Sequence, residues 1–185
     1  HPLMKISPLP IAGAYHIVPE KLGDNRGAFA RLFCNERFAE QGLNIEWAQM
    51  YLSRSAQKGT LRGLHFQRPP FSEVKLVRAV TGKVFDVLVD LREGSKTYGA
   101  HCGVILDSDQ LEALYIPQGC AHGFQTLTDD VELHYMHSAP YAPEHEGGIR
   151  FDDPTLSIRW PLGVTETSPR DRALPLFSDI KPITL

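Results

Sequence analysis

The sequence is short of cysteine, of like-charge blocks, of long apolar runs and of helical periodicity. Each shortage excludes something. Among 185 residues there are three cysteines, Cys34, Cys102 and Cys120, and no C-x-x-C pair. They are too few and too scattered for a disulfide framework, and they point to a reducing, cytoplasmic setting. Lys and Arg number 19 against 22 Asp and Glu, a net charge of −3, with no basic block. Nucleic acid is therefore not an expected partner. No apolar run approaches the ~18–20 residues of a membrane span, so neither is a membrane. Repeats and low-complexity tracts are absent, as are the phosphate-loop and dinucleotide glycine motifs. The opening His1-Pro2-Leu3 precedes Met4 and carries no signal-peptide pattern. It reads as an expression remnant, which leaves one expected domain over residues 4–185.

What the sequence does have is turns. Glycines number 15 and prolines 14, and they punctuate short apolar or alternating runs. Ala28 to Cys34 reads as a strand. Asn35 to Gln41 reads as a short helix, with Asn35 as cap and Gly42 as stop. Further strands are expected over residues 46–53, 60–67, 74–80, 84–91, 99–106, 114–116, 121–127 and 131–137, and a last short helix near 168–173. Thr81-Gly82-Lys83 gives a hairpin signal between two of these strands. Nine or so short strands predict an all-β, antiparallel sandwich or jelly roll with a few short helices. Leu61, Gly63, His65 and Gln67 share one strand face, as do Val131, Leu133, Tyr135 and His137. Polar residues interleaved this way suit either a ligand-holding barrel mouth or a wet outer face.

Histidines number 8, which raises the question of a metal. There is no H-x-H pair, and His134 and His137 point to opposite faces of a strand. His65 and His122 meet only through the fold and still lack a carboxylate and a third ligand, so no metal is expected. His65 is alternatively a neutral-pH base if a carboxylate fixes its tautomer. Tyr135 is a candidate acid or a core tyrosine. Arg26, Arg62, Arg78 and Lys75 are candidate diphosphate clamps, two of them beside Gly27 and Gly63.

Taken in order, several stretches resemble one family. They are Gly23-Asp24-Asn25-Arg26-Gly27, Leu61-Arg62-Gly63-Leu64-His65-Phe66-Gln67, Lys75-Leu76-Val77-Arg78 and Gly82-Lys83-Val84-Phe85-Asp86-Val87. They continue with Ile116 to Phe124, Tyr135, Tyr141-Ala142-Pro143, Asp152-Asp153-Pro154, Ile158-Arg159-Trp160-Pro161 and Ser168-Pro169-Arg170-Asp171. The chain resembles the dTDP-4-dehydrorhamnose 3,5-epimerases and related deoxysugar epimerases from about residue 12 to 178. The resemblance implies a metal-free, cofactor-free cupin-type jelly roll, a homodimer with N-terminal strand exchange, and a nucleoside-diphosphate 4-keto-6-deoxy sugar as substrate. It implies His65 as base, Asp171 as its partner, His122 beside them, Lys75 near the enolate and Tyr135 as acid. Arg26 and Arg62 fall on the diphosphate contacts and Tyr141 on a nucleotide-side tyrosine.

Two positions depart from the family pattern. Arg31 stands where an acidic residue is common, and Gln49-Met50-Tyr51 stands where Gln-Asp-Asn is common. A guanidinium in place of a carboxylate reverses charge and donor pattern, so GDP or CDP fits as well as dTDP. The alternatives are a metal-dependent cupin enzyme, a 3,4-ketoisomerase of the same sugars, and a non-catalytic sugar-nucleotide binder. One geometric conflict stands out. Arg62 lies three residues before His65, on the opposite face under strict alternation, unless Gly63 hosts a bulge or the phosphates leave over the rim.

Overall fold

The computed structural model describes residues 3–185. The expected remnant thus lies, for His1 and Pro2, outside the described residues. Leu3 is part of the fold: its carbonyl accepts from the Glu20 amide at 2.7 Å.

The strands are β1 (Met4–Pro8), β2 (Tyr15–Pro19), β3 (Lys21–Asp24), β4 (Gly27–Ala30), β5 (Gln49–Ser55), β6 (Leu61–Gln67), β7 (Lys75–Thr81), β8 (Lys83–Asp90), β9 (His101–Asp107), β10 (Ala113–Ile116), β11 (Cys120–Thr126), β12 (Val131–His137) and β13 (Glu146–Gly148). Two short α-helices, α1 (Asn35–Glu40) and α2 (Pro169–Arg172), join them. A six-stranded sheet in the order β1-β2-β10-β7-β12-β5 faces a five-stranded sheet in the order β13-β6-β11-β8-β9. Neighbouring strands run antiparallel throughout both sheets. This is the all-β, jelly-roll type of architecture that the turn-rich sequence predicts. No described helix is long and apolar enough to cross a membrane.

Three apolar clusters hold the sheets. Val77, Ala79, Leu88, Leu114, Phe124 and Leu133 fill one end of the space between them. The outer face of the six-stranded sheet is covered by α1 and its flanks, where Phe38 is fully buried beside Leu76 and Tyr115. Burying one such phenylalanine contributes about 1.5–3 kcal/mol. The outer face of the five-stranded sheet carries Leu64, Val87, Val89 and Leu91. The C-terminal segment lies across it through Leu156, Ile158, Trp160, Phe177 and Ile183. Both faces of β8 are therefore largely dry. Its odd positions pack outward under this segment, while Asp86 and Leu88 face inward.

Three expectations change. Thr81-Gly82-Lys83 is a corner and not a hairpin, since β7 and β8 belong to different sheets. Gly82, at φ +80°, reverses the chain, and a reversal does not by itself choose the pairing partner. The cap of α1 is Cys34, without a side-chain bond, and Asn35 is the first helical residue. The Phe38 amide already reaches the Cys34 carbonyl, which starts the helix one residue early. Within the strand expected from Ala28 to Cys34, pairing ends at Ala30, and the partner is β3. The β3–β4 pair forms an arm whose residues are almost all exposed.

Candidate active site

A cavity of about 690 Å³ opens between the two sheets, and most of the residues that line it carry polar groups. Strand periodicity brings them there. On the six-stranded sheet, Lys75 of β7 lies opposite His137 of β12, and Tyr135 lies between Val77 and Tyr51. On the five-stranded sheet, His65 of β6 is the register partner of His122 of β11.

The Arg62 conflict is resolved where β6 meets β11. Between the pairs His122–His65 and Phe124–Arg62, β6 uses three steps where β11 uses two. The extra residue makes a bulge, and Gly63 adopts φ +117° there. A Cβ at Gly63 would lie 2.6 Å from Gly123 Cα and 2.7 Å from the His122 carbonyl oxygen. Arg62 and His65 consequently both line the cavity. The Arg62 guanidinium donates to Ser55 Oγ at 3.2 Å and to the Arg54 carbonyl at 2.7 Å.

Two histidine–carboxylate dyads sit side by side. His65 Nε2 is 2.7 Å from Asp171 Oδ1, and Asp171 Oδ2 accepts the Gly63 amide at 3.0 Å. Asp171 rides on α2, where the Ser168 hydroxyl accepts from the Asp171 amide at 3.0 Å and caps the helix. Burial works against the Asp171 carboxylate. Hydrogen bonds from His65 and Gly63, with the Arg170 charge nearby, outweigh it and hold the carboxyl below its usual range. With Nε2 turned to Asp171, Nδ1 is the free nitrogen of His65. His122 Nε2 is 2.5 Å from Asp86 Oδ1, and both residues are buried. Burial pushes the His122 imidazole below its ordinary value, and the Asp86 carboxylate offsets only part of this.

On the opposite wall, Tyr135 is ringed by aromatic side chains. His122 and His137 approach its ring edge-on, both at 6.2 Å between centroids, and Phe124 lies at 6.5 Å. Burial raises its phenol well above the ordinary value. Lys75 is buried, with Nζ 3.5 Å from Glu73 Oε1. Glu73 Oε2 is 3.1 Å from His137 Nδ1.

At the rim, the Tyr51 hydroxyl donates to Gln49 Oε1 at 2.8 Å, and the same oxygen accepts the Tyr141 amide at 2.6 Å. Gln49 thus braces the rim without lining the cavity, whereas Tyr51 and Tyr141 line it. Arg170 pairs with Glu146, and the Tyr141 phenol is raised by that same Glu146.

Of the residues expected at the site, the structure brings together His65, Asp171, His122, Lys75, Tyr135, Arg62, Tyr51 and Tyr141. Arg26 and Arg31 are not brought there: neither lines the cavity of its own chain. Arg26 sits at the tip of the exposed arm, its guanidinium bound to Asp24, and Arg31 follows at the arm's base. The reason is topological: β3 and β4 pair only with each other, outside both large sheets. Arg78, a candidate diphosphate clamp, is a correction. It alternates with Lys75 and Val77 along β7, so it is buried away from the cavity and donates to the Leu32 carbonyl at 2.7 Å. Burial lowers its guanidinium to about 10.

Sequence reasoning misses Glu73, Asp86, Glu146, Arg170 and the role of His137. Asp86 carries a signal, a carboxylate sharing a face with Leu88. His137 carries one in its shared face with Tyr135. Glu73 precedes its strand in a connection that has no periodicity to read. Among the described residues, no group of three or more His, Cys, Asp or Glu side chains is arranged to hold a metal ion.

The comparisons with known proteins agree on one family. The family profile described as dTDP-4-dehydrorhamnose 3,5-epimerase matches residues 8–179. The chain is 41% identical over 178 residues to the dTDP-4-dehydrorhamnose 3,5-epimerase of Sinorhizobium fredii, covering 96% of this chain and 91% of that one. It is equally 41% identical, over 179 residues, to the dTDP-4-dehydrorhamnose 3-epimerase of Streptomyces niveus, covering 96% and 86%. Its fold is similar to the crystal structure of the Legionella pneumophila dTDP-6-deoxy-D-glucose-3,5-epimerase in complex with dTDP-4-keto-L-rhamnose. There the TM-score is 0.91 at 41% identity, covering 97% of this chain and 95% of that one.

Proposed function

Because this chain belongs to the dTDP-4-dehydrorhamnose 3,5-epimerase family of isomerases, we propose that it epimerises a dTDP-linked 4-keto-6-deoxy sugar at C3, with C5 as the second centre. The observation that carries this reading is the placement of His65 and Tyr135 on opposing sheets across one cavity.

The C4 ketone acidifies the protons on C3 and C5. His65 Nδ1 takes one of them, and the electron pair of the broken C–H bond moves into an enolate whose charge rests on the C4 oxygen. Asp171 keeps the imidazole oriented and stabilises the imidazolium that forms. The Lys75 ammonium stabilises the enolate oxygen; such a donor is typically worth about 3–4 kcal/mol. Tyr135 then returns a proton from the other wall, and the carbon is inverted. Its phenolate regains a proton from solvent and His65 releases one, so the cycle is proton-neutral. Burial raises the Tyr135 phenol, so it reaches the reaction protonated, as a donor must be.

Arg62 and Arg170 flank the opening and suit a diphosphate, with Tyr51 and Tyr141 on the nucleoside side. The β3–β4 arm supports a homodimer. It exposes Leu22 and Phe29, and the edge strand β5 exposes Met50 and Leu52. In such a dimer the arm of one chain would deliver Arg26 and Arg31 to the cavity of the other. The three free cysteines fit a reducing, cytoplasmic setting.

The test is incubation with dTDP-4-keto-6-deoxy-D-glucose in D₂O. NMR should find deuterium at C3, and at C5 if both centres turn over, and His65→Ala should abolish uptake. Parallel arms with the GDP and CDP sugars address the Arg31 departure. No exchange with any of the three would refute the reading.

A further inference from the structure

The mechanism above uses Lys75 but gives no work to Glu73 or His137, although both line the same cavity. A buried carboxylate is costly unless its charge is matched by partners. The Glu73 side chain is 7% exposed, and its two oxygens face different partners, Oε1 toward Lys75 Nζ and Oε2 toward His137 Nδ1. Lys75 and His137 are register partners on β7 and β12, so Glu73 bridges two groups that the sheet has already set side by side.

We propose that Glu73 is a positioning residue for the epimerisation: it aims the Lys75 ammonium at the enolate oxygen and fixes the orientation of the His137 ring, whose Nε2 is left for the sugar. This rests on the epimerase reading above. A lysine is a point charge on a four-carbon stem, and nothing in its own chemistry fixes its direction. The Glu73 oxygen supplies that direction. With Nδ1 turned toward Glu73, the His137 ring keeps Nε2 for the cavity. The ring is held on one side by Tyr51, at 5.0 Å between centroids, and on the other by the Tyr135 ring at 6.2 Å. Glu73 itself stays ionised: burial opposes its charge, but His137 and Lys75 outweigh burial and lower its carboxyl.

The titratable groups around this cluster come from several elements: Lys75 from β7, His137 and Tyr135 from β12, Tyr51 from β5, His122 from β11 and His65 from β6. Of these, Lys75 and His137 contact Glu73. A pH profile alone would mix the group; a profile compared between Glu73 variants isolates the pair.

The experiment measures kcat, KM and the pH profile of kcat for the parent, Glu73→Gln and Glu73→Asp with dTDP-4-keto-6-deoxy-D-glucose. Thermal melting and dTDP binding serve as controls for folding and for the nucleotide side. Glu73→Gln is expected to lower kcat about 10- to 100-fold while dTDP affinity changes by less than about twofold. The basic limb of its kcat profile should move to lower pH, because the cavity has lost a negative charge beside its cationic groups. Glu73→Asp keeps the charge and should restore the limb and part of kcat. A Glu73→Gln enzyme with parental kcat and an unmoved limb overturns the proposal. So does a loss of kcat that follows loss of folded protein and leaves the limb in place. If the parent itself exchanges no deuterium, the epimerase reading fails and this inference with it. If the parent exchanges and Glu73→Gln matches it, the assignment of Glu73 fails alone.

Discussion

His65 and His122 face each other as register partners on β6 and β11, yet each is bound to a carboxylate of its own, Asp171 at 2.7 Å and Asp86 at 2.5 Å. The dyads differ in access. The His65 side chain is 34% exposed and the His122 side chain 5%. One imidazole is open to the cavity, as the proposed base must be. The other is almost fully buried, bound to Asp86 and edge-on to the Tyr135 ring.

Asp171→Asn keeps the shape of α2 but removes the charge that stabilises the His65 imidazolium. Deuterium incorporation at C3 should slow by about 10²–10⁴-fold. Binding of dTDP, measured by calorimetry, should stay near the parental value, because the proposed mechanism uses Asp171 at the sugar and not at the nucleotide.

Tyr135→Phe separates the two proton transfers. His65 still removes and returns the C3 proton from its own wall. The variant should therefore wash deuterium into C3 without inverting it. NMR should show labelled substrate of unchanged configuration. Inversion at the parental rate would mean that another group is the acid.

Stability should fall on mild acidification. The folded His122 imidazole lies below its ordinary value because it is buried. In the unfolded chain it titrates near ~6.5. As pH falls, the unfolded state takes up the proton first, so this contribution is intact above that value and is lost between it and the lower folded value. Asp90 acts in a more acid window. Burial opposes its charge, but hydrogen bonds from Arg92, Ser95 and Thr97 outweigh burial and hold it at about 2. Its contribution is full above the ordinary Asp range and is lost only as the pH falls from there toward that value. The melting temperature should therefore drop as the pH falls below about 6.5 through His122, and His122→Gln should flatten the slope.

The bulge offers a structural test. Gly63→Ala places a Cβ 2.6 Å from Gly123 Cα in a backbone with φ +117°. Backbone strain of this kind costs about 1–3 kcal/mol, or roughly 2–12 °C of melting temperature in a chain this size. Because His65 and His122 sit at the same crossing, C3 exchange should fall along with stability.

Much of the site is legible in the sequence because strand alternation is a strict rule. Period two alone places Tyr135 and His137 on one face and His65 in a strand. It misplaces Arg62, since a bulge breaks the alternation and only Gly63 hints at one. The His65–Asp171 pairing is readable only through family resemblance, because no local rule joins residues 106 apart in sequence. Arg26 and Arg31 escape for a related reason: a motif shows that a residue matters, while the topology decides which cavity it reaches. The corner at Gly82 makes the same point. Turn chemistry specifies a reversal, and the sheet that each side then joins depends on burial across the whole chain.

The C-terminal segment that covers the outer face of the five-stranded sheet also carries α2, and with it the partner of His65. Both imidazoles, the phenol and the ammonium have already been synthesised by residue 137. A nascent or clipped chain ending short of Ser168 would thus hold every ring of the site and still lack a working base. Under the proposed mechanism turnover would wait until that late stretch has been made and has docked, so proton exchange at the sugar would double as a report that the outer sheet is covered.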